Sequence, residues 1–199
     1  MRARSSNPRS PAPLVITFGL IGVFCTGLGL GQLLGLPLPG SSPAADLAGP
    51  TRSAPAQVSI PALDVRAGVV AVGRAADGSI ATPGGDPARS AGWYALSAPP
   101  GDAGTAVIVG HVDTADRPAV FSGLSRLRHG DLIEVRRADH RLVRFLVTSV
   151  ERFPKTAFPV RRIFASASQS RLVLVTCGGA WIGGSVGYAD NIIVFATQA

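Results

Sequence analysis

The chain has 199 residues, a formal net charge of +7 and two cysteines, Cys25 and Cys177. From residue 57 onward it carries 15 basic against 11 acidic residues, so this part of the chain is only mildly basic. A nucleic-acid-binding surface would need a denser basic cluster and a recognisable motif. The arginines within residues 136–144 instead alternate with apolar residues. Composition therefore argues against a nucleic-acid-binding protein.

The first predicted element is an apolar segment, residues 14–36, that contains no charged residue. A helix that crosses a bilayer needs about 20 such residues. Arg2, Arg4 and Arg9 precede the segment, and no lysine or arginine follows it until Arg52. The positive-inside rule therefore predicts a cytoplasmic N-terminus at residues 1–13, a single transmembrane signal anchor at 14–36 and the rest of the chain outside the cell membrane. A signal peptide cleaved among the alanines of residues 44–48 is the alternative.

Residues 37–56 are rich in Pro, Gly, Ser and Ala and show no hydrophobic periodicity. This composition predicts a flexible or semi-extended linker between the membrane and the rest of the chain. Residues 57–199 then have the usual length of one domain with its own core.

Short apolar or alternating runs predict that residues 57–199 are mainly β-structure. Only two stretches, 119–126 and 160–165, have the pattern of short helices, and residues 138–141 fit a hairpin turn. Many short strands at regular spacing favour an all-β fold with a closed or nearly closed barrel. The predicted strands cover residues 58–60, 68–72, 106–109, 132–137, 142–148, 172–175 and 191–196.

Cys177 is an unpaired thiol in the part of the chain that we expect outside the cell. Cys25 lies within the predicted membrane segment, so the two cysteines cannot form a disulfide despite their even number. A free thiol in an exported domain is exposed to oxidation, and it usually has a chemical reason to be present. Nucleophilic catalysis is the reason that we favour.

His111 is the expected partner of Cys177, since each residue follows a buried apolar strand. If those strands are neighbours, the two side chains share one concave site, and we predict a separation of about 4–6 Å. Imidazole is suited to exchanging protons with a thiol near neutral pH. The alternatives are a buried cysteine and a structural histidine, or a zinc site with His129 and His140. Because the spacing is unlike that of metal ligands, we expect no metal and no cofactor.

The sequence resembles the two active-site segments of sortases at Val-Ile-Val-Gly-His-Val-Asp, residues 107–113, and at Leu-Val-Leu-Val-Thr-Cys-Gly-Gly, residues 172–179. Further matching features are Pro83, Gly-Trp-Tyr at 92–94, Pro-Gly at 100–101, and Tyr188 with Asn191 before the last strand. Together these features are most similar to the actinobacterial class F branch, and the expected membrane anchor and linker fit this family.

The resemblance implies a sortase-type barrel of about eight strands and a cysteine transpeptidase. In such enzymes the thiolate attacks the Thr–Gly bond of a C-terminal sorting signal similar to Leu-Pro-x-Thr-Gly, carried by an exported protein. A thioester forms, and an amine of a peptidoglycan precursor resolves it. Carried over to this chain, Cys177 is the nucleophile and His111 the acid/base. A sortase-fold thiol peptidase and a weakly active binding or scaffold module are the alternatives.

The sequence departs from this family in one respect. Sortases supply an arginine from the strand after the cysteine, and no arginine occurs from Cys177 to Ala199. Ala189 and Asn191 share a strand face, and of the two only Asn191 can donate a hydrogen bond. We therefore expect Asn191 to face Cys177 across a groove and to stabilise the transition state. Arg89 or Arg117, from loops, are the alternative donors.

Overall fold

The structure is a computed structural model that describes residues 53–184 and 187–199. The predicted cytoplasmic segment, the transmembrane anchor and nearly all of the predicted linker lie outside the described residues. Within the described ranges, no helix has both the length and the apolar character needed to cross a membrane.

The described part of the chain forms a closed barrel of eight strands, with the spatial order β1-β2-β3-β4-β7-β8-β6-β5. The pairs β2–β3 and β4–β7 are parallel, and the other neighbours are antiparallel. The predicted all-β barrel is thus confirmed. The strands are β1 Pro55–Ile60, β2 Val65–Val72, β3 Ser90–Tyr94, β4 Gly104–Val109, β5 Leu132–Arg137, β6 Leu142–Pro154, β7 Ser170–Gly183 and β8 Gly187–Gln198.

Helical structure in the described residues is limited to single turns. One short α-helix, α1, spans Val160–Ile163. Three 3-10 turns span Pro61–Leu63, Leu124–Arg126 and Lys155–Ala157. The predicted helix over 119–126 is wrong except for its last turn, because the apolar side chains that suggested it enter the core from an irregular loop instead. Strand β3 was not predicted, since it is short and its glycine weakens the strand pattern.

Two hydrophobic clusters lie on opposite faces of the sheet. The first receives side chains from every strand and fills the barrel interior, and Phe121 and Leu124 pack into it from the loop after β4. The second lies on the outer face of β4, β7 and β8. Its members there are Val107, Val109, Val173, Val175 and Ile193. Because side chains alternate along a strand, these odd-numbered positions define the outer face of the three strands.

The connection between β6 and β7 covers part of this outer face. Ile163 of α1 is buried in the outer cluster. Arg162 makes two 2.5 Å hydrogen bonds to Glu151 of β6, and its guanidinium lies 4.1 Å from the ring centroid of Phe195 in β8. Phe164 contacts the edge of Tyr94 on β3, with ring centroids 6.0 Å apart. The segment around α1 therefore covers part of the outer face. Val109 and Val175 belong to the same face and precede the residues that carry His111 and Cys177.

Candidate active site

His111 lies two residues after the end of β4, whereas Cys177 lies within β7, which continues to Gly183 and so does not end at the cysteine as predicted. Val109 of β4 and Val175 of β7 form the last pair of their ladder, two residues before His111 and Cys177, and the amide of Gly110 still donates to the Val175 carbonyl. Cys177 continues the odd-numbered series of the outer face of β7. His111 and Cys177 are each partly buried, and Cys177 is a free thiol. The arrangement can bring a base to a nucleophilic sulfur.

Asn191 is the direct partner of Cys177 in the antiparallel β7–β8 ladder. Residues directly opposite each other in such a pair carry their side chains on the same face, with Cβ atoms about 4.5–5.5 Å apart. Asn191 therefore lies beside Cys177 on the adjoining strand. This differs from the prediction that Asn191 faces Cys177 across a groove. Cys177, Asn191 and Phe153 of β6, which is paired with Asn191, form one row across β7, β8 and β6.

The backbone that carries His111 is fixed by the strand beside it. The hydroxyl of Thr176 donates a 2.8 Å hydrogen bond to the carbonyl oxygen of Gly110, and the amide of Gly110 donates to the carbonyl of Val175. A Cβ atom at Gly110 would lie 2.6 Å from the ring of Phe121, so only glycine fits there without displacing the core. The His111 segment is thus held between the buried Phe121 and strand β7.

The two loop arginines make other contacts. Arg117 pairs with Asp86 at 3.0 Å, and its side chain is 55% exposed. Arg89 lines a cavity of about 340 Å³ together with Arg66 and Arg126, on the side of the barrel formed by β2 and the loop after β4. The residues that line this cavity include neither Cys177 nor His111. In the described residues, Asn191 is thus the candidate donor that the strand register places next to the thiol.

Two further side-chain pairs, on or next to the strands around Cys177, were not predicted from the sequence. Arg152 of β6 has its Nε atom 3.6 Å from the carboxylate of Asp190, which pairs with Gly178 in the ladder. Arg152 pairs with Ile192, next to the Phe153–Asn191 pair, so it belongs to the opposite face of β6 from that pair. Its guanidinium therefore approaches the strand from the face opposite Cys177. Nothing in the sequence pattern showed that β6 extends to Pro154 and brings Arg152 there.

The second pair is that of Tyr188 and Asp113. The hydroxyl of Tyr188 donates a hydrogen bond to the Asp113 carboxylate. This hydrogen bond, followed by burial, by the charge of Asp113 and by that of the Cys177 thiolate, raises the pKa of Tyr188 above its ordinary value. Both residues had been noted in the sequence as motif members, but their contact could not be inferred.

In the part of the chain that the structure describes, no group of three His, Cys, Asp or Glu side chains is arranged to hold an ion. His140 lies in the turn between β5 and β6, with a positive φ of 65°.

The fold and these residues define a class: closed eight-stranded barrels with a free thiol on one strand and an imidazole just after the parallel strand beside it. A family model described as "Sortase domain" matches residues 58–199. The chain belongs to the sortase family. Members of this family are cysteine transpeptidases. A search of curated proteins finds no significant match to the sequence.

Solved structures support the same fold. A lid mutant of sortase A from Corynebacterium diphtheriae is similar at a TM-score of 0.58 and 19% identity, over 74% of this chain and 71% of that one. Sortase C2 of pilus island 1 from Group B Streptococcus is similar at a TM-score of 0.56 and 16% identity, over 72% of each chain. Sortase C1 from Streptococcus suis has a TM-score of 0.56 and 15% identity, over 74% of each chain.

Proposed function

We propose that this protein is a transpeptidase that cleaves a C-terminal sorting signal similar to Leu-Pro-x-Thr-Gly. The observation that supports the proposal is the parallel β4–β7 register, whose last pair, Val109–Val175, lies two residues before His111 and Cys177. The Cys177 thiolate attacks the carbonyl carbon of the Thr–Gly bond. Protonated His111 gives its proton to the departing glycine amine, and a thioester remains on the sulfur. His111 then takes a proton from the incoming amine, which attacks the thioester and releases Cys177.

Asn191 is the donor that we assign to the developing oxyanion, because its side chain shares a face with Cys177. An amide is a neutral donor, and charge-assisted hydrogen bonds are about twice as strong. The transition state of this chain is therefore less stabilised than one beside a guanidinium. We therefore expect a lower kcat than in an enzyme with an arginine at this position.

The proposed setting is the outer side of the cell membrane. The uncharged segment 14–36 and the three arginines before it support a single-pass anchor with its N-terminus in the cytoplasm. The substrates are then exported proteins with a sorting signal, and the acceptor is an amine of a peptidoglycan precursor. Protease treatment of intact cells should degrade residues 57–199 and spare the N-terminus. A full-length chain recovered in the cytosol would contradict this topology.

The residues that match the actinobacterial class F branch support placing the protein there. They are Pro83, residues 92–94, residues 100–101, Tyr188 and Asn191. A panel of sorting peptides that differ at each motif position, assayed with one acceptor amine, tests the proposed specificity. Equal cleavage of scrambled peptides would exclude a sorting-signal enzyme.

The central experiment uses the full-length chain with a sorting peptide, with and without an added amine. Intact-mass measurement should show a thioester on Cys177, and chromatography should show an amine-ligated product. Cys177→Ala should lose both, whereas Cys25→Ala should keep both. His111→Ala should be slower by about 100-fold or more, and His129→Ala, an exposed histidine, serves as its control. Hydrolysis unaffected by amine would show a peptidase instead, and absence of any thioester would show a binding module.

A further inference from the structure

The segment that carries His111 is joined to the β7–β8 hairpin at two points, one on each side of the histidine. Before His111, the Thr176 hydroxyl binds the Gly110 carbonyl. After His111, the Tyr188 hydroxyl binds the Asp113 carboxylate. The register of β4 and β7 ends at the Val109–Val175 pair, so the Tyr188–Asp113 bond is a connection beyond the sheet ladder.

The other contacts of this segment run within its own loop. The His111 carbonyl accepts a hydrogen bond from the Phe121 amide, and the Val112 carbonyl accepts one from the Ala119 amide. Asp113 forms an isolated bridge with Pro118. These bonds give the loop its shape, but they do not fix its distance from Cys177. The Tyr188–Asp113 bond does, because Tyr188 lies on the hairpin that also carries Cys177.

Tyr188 is itself held in place. Its ring meets the edge of Trp181, its partner in the β7–β8 ladder, with centroids 5.1 Å apart and an interplanar angle of 75°. A Cβ atom at Gly187 would lie 3.2 Å from the Trp181 ring, which leaves little room for a larger residue there. The phenol is therefore directed by an aromatic contact on one side and by the Asp113 carboxylate at its hydroxyl.

We propose that Tyr188 and Asp113 are positioning residues that hold His111 against Cys177. They act through the backbone of the His111 segment and not on the substrate, so they set the geometry of proton transfer. This proposal rests on the proposed function, in which His111 exchanges protons with the thiol and the leaving amine. Small displacements of a reacting group cost rate even when binding is unchanged, by as much as about 100-fold for 1 Å.

Two readouts test this role in full-length protein that carries Cys25→Ala, so that Cys177 is the sole thiol. Steady-state cleavage of a sorting peptide gives kcat and KM. The rate of alkylation by iodoacetamide, measured from pH 5 to pH 9, reports the thiolate and its coupling to His111 without any peptide substrate. Tyr188→Phe should lower kcat by about 10- to 100-fold with KM within about twofold. Its alkylation profile should move toward that of His111→Ala.

A double variant separates positioning from a general loss of structure. If Tyr188 acts through His111, Tyr188→Phe should have no further effect on alkylation in a His111→Ala background. Asp113→Asn keeps an acceptor for the phenol and should retain more activity than Asp113→Ala. The matched controls are Tyr94→Phe, which removes the other phenol of the chain, and Asp116→Asn, whose carboxylate binds Thr114 within the same loop. Both controls should match the parent protein.

The outcomes distinguish this inference from the proposed function. If no sorting peptide is cleaved but the alkylation profiles shift as described, the transpeptidase proposal fails and the positioning role stands. If Tyr188→Phe and Asp113→Ala leave the alkylation profile of the parent unchanged, the positioning role is wrong whatever the peptide assay shows. It is equally wrong if His111→Ala itself has no effect on alkylation, or if the double variant is slower than His111→Ala alone.

Discussion

Cys177 and Asn191 are direct cross-strand partners in the β7–β8 ladder, and their side chains share the outer face of the barrel. The family places an arginine in the strand after the cysteine, and this chain has none there. The ladder therefore places the asparagine beside the thiol, on the strand where the family has its arginine. The transition-state stabilisation that this neutral amide supplies can be measured.

Replacing Asn191 measures that contribution. Asn191→Ala should lower kcat for peptide cleavage by about 100-fold, since the loss of one oxyanion donor costs about 100- to 1000-fold. Asn191→Arg should raise kcat above that of the natural chain, because a guanidinium is a charge-assisted donor. Thr197→Ala, at an odd position of the same strand far from Cys177, is the matched control. An unchanged rate in Asn191→Ala would make Asn191 a structural residue and would return attention to Arg89 and Arg117.

Two buried threonines, on the neighbouring strands β4 and β7, should have opposite effects on stability when each is replaced by valine. Thr176 donates to the Gly110 carbonyl, whereas the hydroxyl of Thr105 has no hydrogen-bond partner among the described residues. Thr176→Val should lower the free energy of unfolding by about 1 kcal/mol, the usual net value of one hydrogen bond. Thr105→Val should be neutral or stabilising by up to about 1 kcal/mol, because it removes an unsatisfied group.

Urea unfolding of both variants compares them directly, and peptide cleavage adds a functional readout. Thr176→Val should also lower kcat by about tenfold, since His111 follows the carbonyl that loses its donor. Thr105→Val should keep the rate of the natural chain. Equal stability losses in the two variants would show that the Thr176 hydrogen bond makes no special contribution.

The barrel could be predicted because each predicted strand has a recognisable pattern in its own short sequence. Residues 132–137 alternate apolar and polar side chains, and the structure has a strand with those bounds. The continuous apolar runs at 106–109 and 172–175 likewise lie in β4 and β7. Each signal needs only a few neighbouring residues and the two-residue period of a strand.

The arrangement of the site across neighbouring strands could not be predicted from such local patterns. Which strands are neighbours, and in what register, depends on contacts between residues far apart in sequence. The Cys177–Asn191 pairing follows from the β7–β8 register, and the Tyr188–Asp113 bond joins groups 75 residues apart. The wrong helix over 119–126 has a related cause, since Phe121 is buried in the core from a loop, a tertiary effect that overrides local propensity.

Arg137 should be far more important for stability than Arg144 in the same hairpin. The Arg137 side chain is 6% exposed, and its Nη1 atom lies 3.0 Å from both Asp102 and the Pro100 carbonyl. Arg144 pairs with Glu134 at 3.0 Å but is 61% exposed. Arg137→Ala should cost about 3–5 kcal/mol, as expected for breaking a buried ion pair. Arg144→Ala should cost at most about 1 kcal/mol. Denaturant unfolding measures both, and similar costs would contradict the buried network.

The Glu151–Arg162 pair should make α1 sensitive to acid. The hydrogen bonds from Arg162 hold the pKa of Glu151 below its ordinary value of 4.5. A carboxyl with a lowered pKa stabilises the folded state above pH 4.5, and this contribution is lost as the pH falls through the lower folded-state value. Glu151→Gln should therefore lower Tm at pH 7, and its difference from the natural chain should shrink below pH 4.5.

Thermal unfolding between pH 7 and pH 3 checks this, with Glu134→Gln as the control because its partner Arg144 is largely exposed. Arg162 also lies over Phe195, next to the buried Ile163, so losing Glu151 should loosen α1 above the outer cluster. Hydrogen exchange at the amides of residues 160–164 should then be faster in Glu151→Gln at pH 7. A Tm difference that stays constant down to pH 3 would show that ionisation of Glu151 does not stabilise the fold.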